Sequence, residues 1–327
     1  MITRKVAPAI AAGCTVVLKP AEATPLCAVE TFKAFEEAGL PGGVVNLVTA
    51  KDPAPVGEIF LKDERVRKLT FTGSTAVGKM LARGAAEQMK RTSFELGGHA
   101  PFIVCKDADP VNAAKGVVLV KFLNTGQACI SPNRLYVHRN QADAFLNAFA
   151  ARVKKMKAGS GFDEMVSIGP LVNEAAVEKV DRQVKDAMEK GARVITGGQR
   201  LTDGGLEKGH FYAPTILAGV TPEMLIYREE TFGPVAPVIE YDDEDDLLAM
   251  ANDTTYGLAA YVYTQQFSTA MQMFEGLRFG IIGINDINPT AVAAPFGGMK
   301  ESGLGREGGP EGILEYLDLK VGGFSLR

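Results

Sequence analysis

Long apolar runs are missing from this chain: no stretch approaches the roughly 18 consecutive apolar residues of a membrane span, so a transmembrane segment is not expected. Histidine is scarce. His99, His138 and His210 are the only three, and their spacings form no metal-ligand set, which leaves a zinc site without support. The four cysteines, Cys14, Cys27, Cys105 and Cys129, show neither CxxC nor paired spacing. A disulfide framework is therefore not expected, and reduced thiols in a cytoplasmic protein are. There is no basic tract and no interleaving of basic and aromatic residues, and the formal charge is -4, so nucleic acid is not an expected partner. Tryptophan is absent altogether. What is present is ordinary for a soluble globular protein: 46% hydrophobic and 23% charged residues over a length of 327, enough for two domains.

The start of the chain imitates a short lipoprotein signal, with Arg4-Lys5, an apolar run and Cys14. Pro8 breaks the run, and Thr15-Val16-Val17-Leu18 follows at once, so the segment reads as helix, turn and strand of a folded domain. Helix and strand signals then alternate. Gly13 ends the first helix, residues 15–19 read as strand, and Thr24-Pro25 opens a helix that stops at Gly39. Residues 44–48 and 66–71 are strand-like, with a short helix after Asp52-Pro53 between them and a helix over 74–89 behind them. Short apolar strands separated by helices predict a parallel sheet covered on both faces. After Gly97-Gly98 the alternation restarts. Strands are expected over 101–105, 134–138, 192–195, 234–240, 258–264 and 279–284, with helices over 110–122, 141–156 and 174–190. The glycine-rich tail from Ser302 ends in a strand-like stretch over 316–324. No internal repeat or low-complexity linker interrupts this order.

Two segments carry chemistry. Phe94-Glu95-Leu96-Gly97-Gly98-His99 places a carboxylate beside glycines, and Asn124-Thr125-Gly126-Gln127-Ala128-Cys129 places a thiol beside another. A thiolate adds to a carbonyl as nucleophile, and a carboxylate can deprotonate the water that hydrolyses the resulting thioester. Glycines leave room for substrate and expose N–H groups to an oxyanion. Taken singly, a buried cysteine and a surface glutamate are the better reading. Together, these segments resemble the aldehyde dehydrogenase superfamily, in which Glu-Leu-Gly-Gly carries the base and Gly-Gln-x-Cys the nucleophile. The resemblance covers essentially the whole chain, including Gly169-Pro170-Leu171-Val172, Asn252 to Leu258 and Pro295 to Gly303.

The resemblance implies an α/β fold: an incomplete Rossmann-type parallel-sheet cofactor domain over 1–96, a cysteine-bearing catalytic domain over 97–301, and a tail over 302–327. That tail returns to the cofactor domain and offers a possible oligomerisation strand. Phe71-Thr72-Gly73-Ser74 lies where a strand meets a helix, a place that suits a phosphate. A plain helix cap is an equally good reading without the family, which assigns Gly73 and Ser74 to the dinucleotide. It assigns Lys19 and Glu22 to the adenosine ribose, Leu96 to the same cofactor, and Glu230 and Phe232 to the nicotinamide end. A carboxylate at Glu22 accepts from ribose hydroxyls and repels a 2′-phosphate, which favours NAD while leaving NADP possible. Without the family, Glu230 reads as a salt-bridged glutamate and Phe232 as a core phenylalanine.

Met1 to Val6 and Gly305-Arg306-Glu307-Gly308 are most similar to the succinate-semialdehyde dehydrogenase branch. That branch implies a substrate carboxylate held by Arg4 and Thr290. Its second arginine falls at Leu123, which cannot pair with a carboxylate. Arg4 reads equally well as a solvated helix charge. Members of the family extend upstream of the position matching Met1, through a Pro-Trp-Asn-Phe-Pro motif whose asparagine serves the oxyanion, so a truncated chain is expected. The implied reaction oxidises an aldehyde through a Cys129 thiohemiacetal and thioester, with Glu95 activating water. The expected partners are a small-molecule aldehyde and copies of the same chain. Two other functions fit the residues: a non-catalytic nucleotide-binding or oligomer-associating remnant, and a residual ester or thioester hydrolase.

Overall fold

The computed structural model describes residues 1–325. The chain divides into two compact units, one built from Met1–Leu96, Thr290–Gly297 and the stretch from Gly303 onward, the other from Gly97–Pro289 and Gly298–Ser302.

In the first unit the order is α1 (Ile2–Ala11), β1 (Val16–Leu18), α2 (Leu26–Glu37), β2 (Val45–Leu47), α3 (Ala54–Lys62), β3 (Lys68–Thr72), α4 (Thr75–Ala86) and β4 (Arg91–Glu95). The single parallel sheet expected here is in fact two sheets. β1 pairs with β2, and β3 pairs with β4, both parallel, without a strand joining the pairs. Period and length mark a strand, but the choice of partner is non-local and leaves no mark on either strand. Leu69, Leu81, Phe94 and Leu96 form the small core of the β3–α4–β4 piece.

The second unit holds β5 (Ala100–Val104), α5 (Pro110–Lys121), β6 (Pro132–His138), α6 (Arg139–Val153), α7 (Glu174–Glu189), β7 (Arg193–Thr196), β8 (Thr215–Ala218), α8 (Leu225–Arg228), β9 (Val235–Tyr241), α9 (Leu247–Asn252), β10 (Ala259–Tyr263), α10 (Phe267–Gly276) and β11 (Ile281–Ile284). Its seven strands run in the order β11-β10-β5-β6-β9-β8-β7, parallel except for β7 at the edge. Strands β5 and β6 are buried along their whole length; β5 is a continuous apolar run, while β6 also buries Asn133, Arg134 and His138. Asp109 caps α5 and Pro110 follows it, while Asn173 caps α7.

The chain then returns to the first unit with β12 (Gly303–Leu304) and α11 (Gly309–Leu314). β12 pairs antiparallel with β4, setting Gly303 opposite Glu95. Gly303 has φ +138° and a Cβ there would overlap the Phe94 carbonyl, so the position requires glycine. The strand expected over 316–324 does not form among the described residues. Among the described residues it pairs with no strand, and Leu319, Val321 and Phe324 are exposed. Cys14, Cys27 and Cys105 lie beside or within strand or helix patterns, which predicts buried thiols; Cys105 is buried and Cys14 half-buried, but Cys27 lies on an exposed face of α2. Among the described residues no helix is long and apolar enough to cross a membrane.

Candidate active site

Cys129 sits in the second unit on the turn between α5 and β6, half-buried. That turn runs through Leu123–Gly126, where Asn124, Thr125 and Gly126 hold positive φ. Lys121, fully buried at the end of α5, braces it: its Nζ donates to Asn133 Oδ1 at 2.9 Å, and its carbonyl accepts from the Ser131 hydroxyl at 3.1 Å. Burial pulls the Lys121 pKa down to about 7, against the attraction of Glu230. Gly126 packs where a Cβ would overlap the Gly233 carbonyl, and Gly98 packs where a Cβ would overlap the carbonyl of Cys129. The glycines of the two sequence segments thus serve close backbone approach.

Glu230 is half-buried, and its Oε1 accepts from the Gly98 N–H at 2.8 Å. Desolvation raises its pKa, which that N–H and the charges of Lys179 and Lys121 oppose. No salt bridge to Glu230 is needed to account for it. Phe232 is exposed and holds φ +52°, so it is not a core phenylalanine. His99 is buried, with Nε2 at 2.7 Å from the Tyr227 carbonyl, and desolvation holds its pKa well below the usual imidazole range. It remains neutral and structural. Arg134, fully buried, bonds the carbonyls of His99, Met250 and Ala251 and so ties the start of β5 to the end of α9.

Glu95 closes β4 in the first unit and is 2% exposed. Desolvation first, and then the neighbouring charge of Glu307, raise its pKa to about 8, opposed by Lys5, Arg306 and Arg4. Glu307 is itself buried and ion-paired with Lys5. One oxygen of each carboxylate, Oε2 in both cases, has no hydrogen-bond partner. A buried carboxyl with a spare oxygen and a pKa near neutral is suited to exchanging a proton with water. The Arg4 guanidinium lies 4.3 Å from the centre of the Phe296 ring, so it is half-buried and stacked rather than a solvated helix charge. Thr290 belongs to this same unit and is half-buried.

The residues expected to hold a dinucleotide also lie in the first unit, apart from Glu230 and Phe232. Ser74 caps α4, its hydroxyl accepting from Val77 N–H at 3.4 Å, and the first turn carries no acidic residue to oppose an anion. Gly73 leaves open the space against the Phe71 ring that a side chain would take. Lys19 donates to the Pro20 carbonyl at 2.5 Å and is ion-paired with Glu22. The Lys19 hydrogen bond lowers the Glu22 pKa, so Glu22 is ionised at neutral pH. Leu96 spends its side chain in the core, against Gly78. These features fit a dinucleotide: a helix start open to phosphate and an ionised carboxylate for ribose hydroxyls.

Residues 1–321 match the aldehyde dehydrogenase family. The chain belongs to that family. It is 48% identical over 326 residues to a probable succinate-semialdehyde dehydrogenase [NADP(+)] of Sinorhizobium fredii, covering 99% of this chain and 66% of the relative. It is 47% identical over 320 residues to an aspartate-semialdehyde dehydrogenase (non-phosphorylating) of Halomonas elongata, covering 98% of this chain and 64% of the relative. An E. coli NADP-dependent enzyme of known crystal structure superposes with a TM-score of 0.94 at 47% identity, over 98% of this chain and 65% of that one. The chain thus spans about two thirds of the length of these aldehyde dehydrogenases.

Sequence reasoning missed Lys5 and Glu307. Their pairing joins positions 302 residues apart, and only the fold buries Glu307. It also missed the contacts of Thr125 and Gln127, although both stand inside the cysteine segment. The signal that could have found Glu307 was its place in a run of glycines directly after Arg306.

Proposed function

We propose that the chain carries the catalytic residues of an NAD(P)-dependent aldehyde dehydrogenase, with Cys129 as nucleophile and Glu95 as the base for hydrolysis. The observation that supports this most is the state of Glu95: a buried carboxyl raised to about 8, with one oxygen unpartnered, at the head of the family's Glu-Leu-Gly-Gly segment. The Cys129 thiolate adds to the aldehyde carbon, and the oxyanion so formed is met by the backbone N–H of Cys129. Lys19, Glu22, Gly73, Ser74, Glu230 and Phe232 would hold a nicotinamide dinucleotide, which when bound would supply the acceptor for the hydride that this adduct loses. The remaining Cys129 thioester is hydrolysed by water that Glu95 deprotonates, releasing the carboxylic acid and the thiol.

The ionised Glu22 supports NAD over NADP. Succinate semialdehyde is the substrate that Arg4 and Thr290 favour, and the two curated relatives are named for succinate and aspartate semialdehydes, both of which carry a distal carboxylate. Leu123 stands where no charge can add to that grip, so affinity for the carboxylate rests on Arg4. The exposed Leu319, Val321 and Phe324 support assembly with further copies of the chain. A reduced nucleophilic thiol fits a cytoplasmic setting. The test is formation of NADH from NAD with succinate semialdehyde, beside an aldehyde of equal length without the carboxylate. No rise in absorbance at the NADH wavelength with either aldehyde would refute the reading.

A further inference from the structure

Three successive residues of the cysteine loop, Asn124, Thr125 and Gly126, have φ of +50°, +61° and +77°. Outside glycine a left-handed residue is uncommon, asparagine adopting it most readily, and a β-branched threonine adopts that conformation rarely. Strain of this kind survives only where its surroundings over-determine it. Here the surroundings are the irregular segment 169–172, reached by two side chains of the loop. The Thr125 hydroxyl donates to the Gly169 carbonyl at 3.2 Å and accepts from the Gly169 N–H at 3.0 Å. The Gln127 amide takes the next two groups: Nε2 donates to the Pro170 carbonyl at 3.2 Å, and Oε1 accepts from the Val172 N–H at 2.9 Å. Nε2 also reaches back to the Asn124 carbonyl at 3.2 Å, closing the turn on itself.

The anchor is rigid. Leu171 is 2% exposed and its N–H donates to the His210 carbonyl at 2.8 Å. Asn173 then caps α7, whose Val177 and Val180 belong to the main core. The uncharged amide offers a donor and an acceptor at these two points together, whereas an ionised glutamate supplies acceptors alone.

We propose that Thr125 and Gln127 are positioning residues for Cys129, clamping its loop to the segment 169–172 and so holding the left-handed turn that presents the thiol. The proposal rests on Cys129 being the nucleophile and does not require that the chain turn over an aldehyde.

The test is the rate of alkylation of Cys129 by iodoacetamide in the full chain, followed by peptide mass spectrometry across pH, for Gln127→Met, Gln127→Glu and Thr125→Val. Buried Cys105 is the internal control, because it labels only if the fold opens. A displaced nucleophile typically costs much of its reactivity, and a fall of about tenfold or more is expected for Gln127→Met. For Gln127→Glu the deficit relative to the parent should narrow as pH falls, since the protonated carboxyl donates and accepts as the amide does. A purely structural role would not produce that recovery. Should Gln127→Met label at Cys105, Thr125→Val decides, as it removes one hydroxyl at nearly constant volume. Rates equal to or above the parent's in the folded variants, with Cys105 still protected, would overturn the proposal. The NADH assay fails or succeeds separately, so loss of dehydrogenase activity and loss of the clamp are told apart.

Discussion

The α-carbon of Gly98 rests against the carbonyl oxygen of Cys129, with no space for a Cβ between them. The same Gly98 donates its N–H to Glu230. One glycine therefore touches both the backbone of the proposed nucleophile and a residue assigned to the nicotinamide end.

Gly98→Ala should accordingly displace Cys129 and weaken the Glu230 bond at once. A shift of about 1 Å in a reacting group can cost about 10²-fold in rate, and a loss of that order in turnover is expected. Gly161→Ala, at a position with open space around it, is the control and should match the parent. Unaltered steady-state turnover of Gly98→Ala would show that the loop yields without consequence.

Glu95 predicts the pH dependence. With its pKa near 8, it is mostly protonated at neutral pH and gains base strength as pH rises. Turnover limited by hydrolysis should therefore climb through about pH 8 and level off above it. Glu307→Gln removes a repelling charge and leaves Lys5 without its partner, and both changes lower the Glu95 pKa, so the midpoint should move down. Stability has the opposite slope. The folded pKa lies above the ordinary glutamate value of 4.5, so the contribution of Glu95 is fully present below about pH 4.5 and is lost as pH rises through about 8. Glu95→Gln should flatten that loss in denaturation measured against pH.

Glu22 predicts the choice of dinucleotide. Its charge repels a 2′-phosphate, while Lys19, once released, would attract one. Glu22→Ser should therefore narrow the preference for NAD over NADP in a fluorescence titration. Tighter NADP binding by the parent chain would remove Glu22 from this role.

Much of the second unit was legible in the sequence because its strands are buried on both faces and read as apolar runs between caps such as Asp109 and Asn173. β4 escaped, since Arg91-Thr92-Ser93 looks like a loop, and so did β8 and β12. β12 has two residues and exists only by pairing with Glu95 and Phe94. The segments carrying Cys129 and Glu95 were visible as motifs. Their environments were not: the Lys5–Glu307 pair, the left-handed Thr125 and the grip of Gln127 on 169–172 all depend on contacts distant in sequence. The exposed Cys27 shows the same limit, because apolar neighbours in a helix do not say which face meets solvent.

The cysteines differ enough to be ranked. Cys105 is buried, and desolvation pushes its pKa to about 12, so it should resist alkylation in the native state. Cys27 is exposed and should label at the rate of an ordinary thiol, with Cys129 faster than both. Limited labelling followed by peptide mapping orders them, and earliest labelling at Cys27 would count against an activated Cys129.

The most direct measurement traps the intermediate. Glu95→Gln, mixed with aldehyde and NAD and quenched, should carry the acyl group as a thioester on Cys129, with NADH formed once per chain and little turnover afterwards. Intact-protein and peptide mass spectrometry reads both the mass and the site. Turnover at the parent rate without an adduct, or an acyl group on any residue other than Cys129, would contradict the assignment of the two residues.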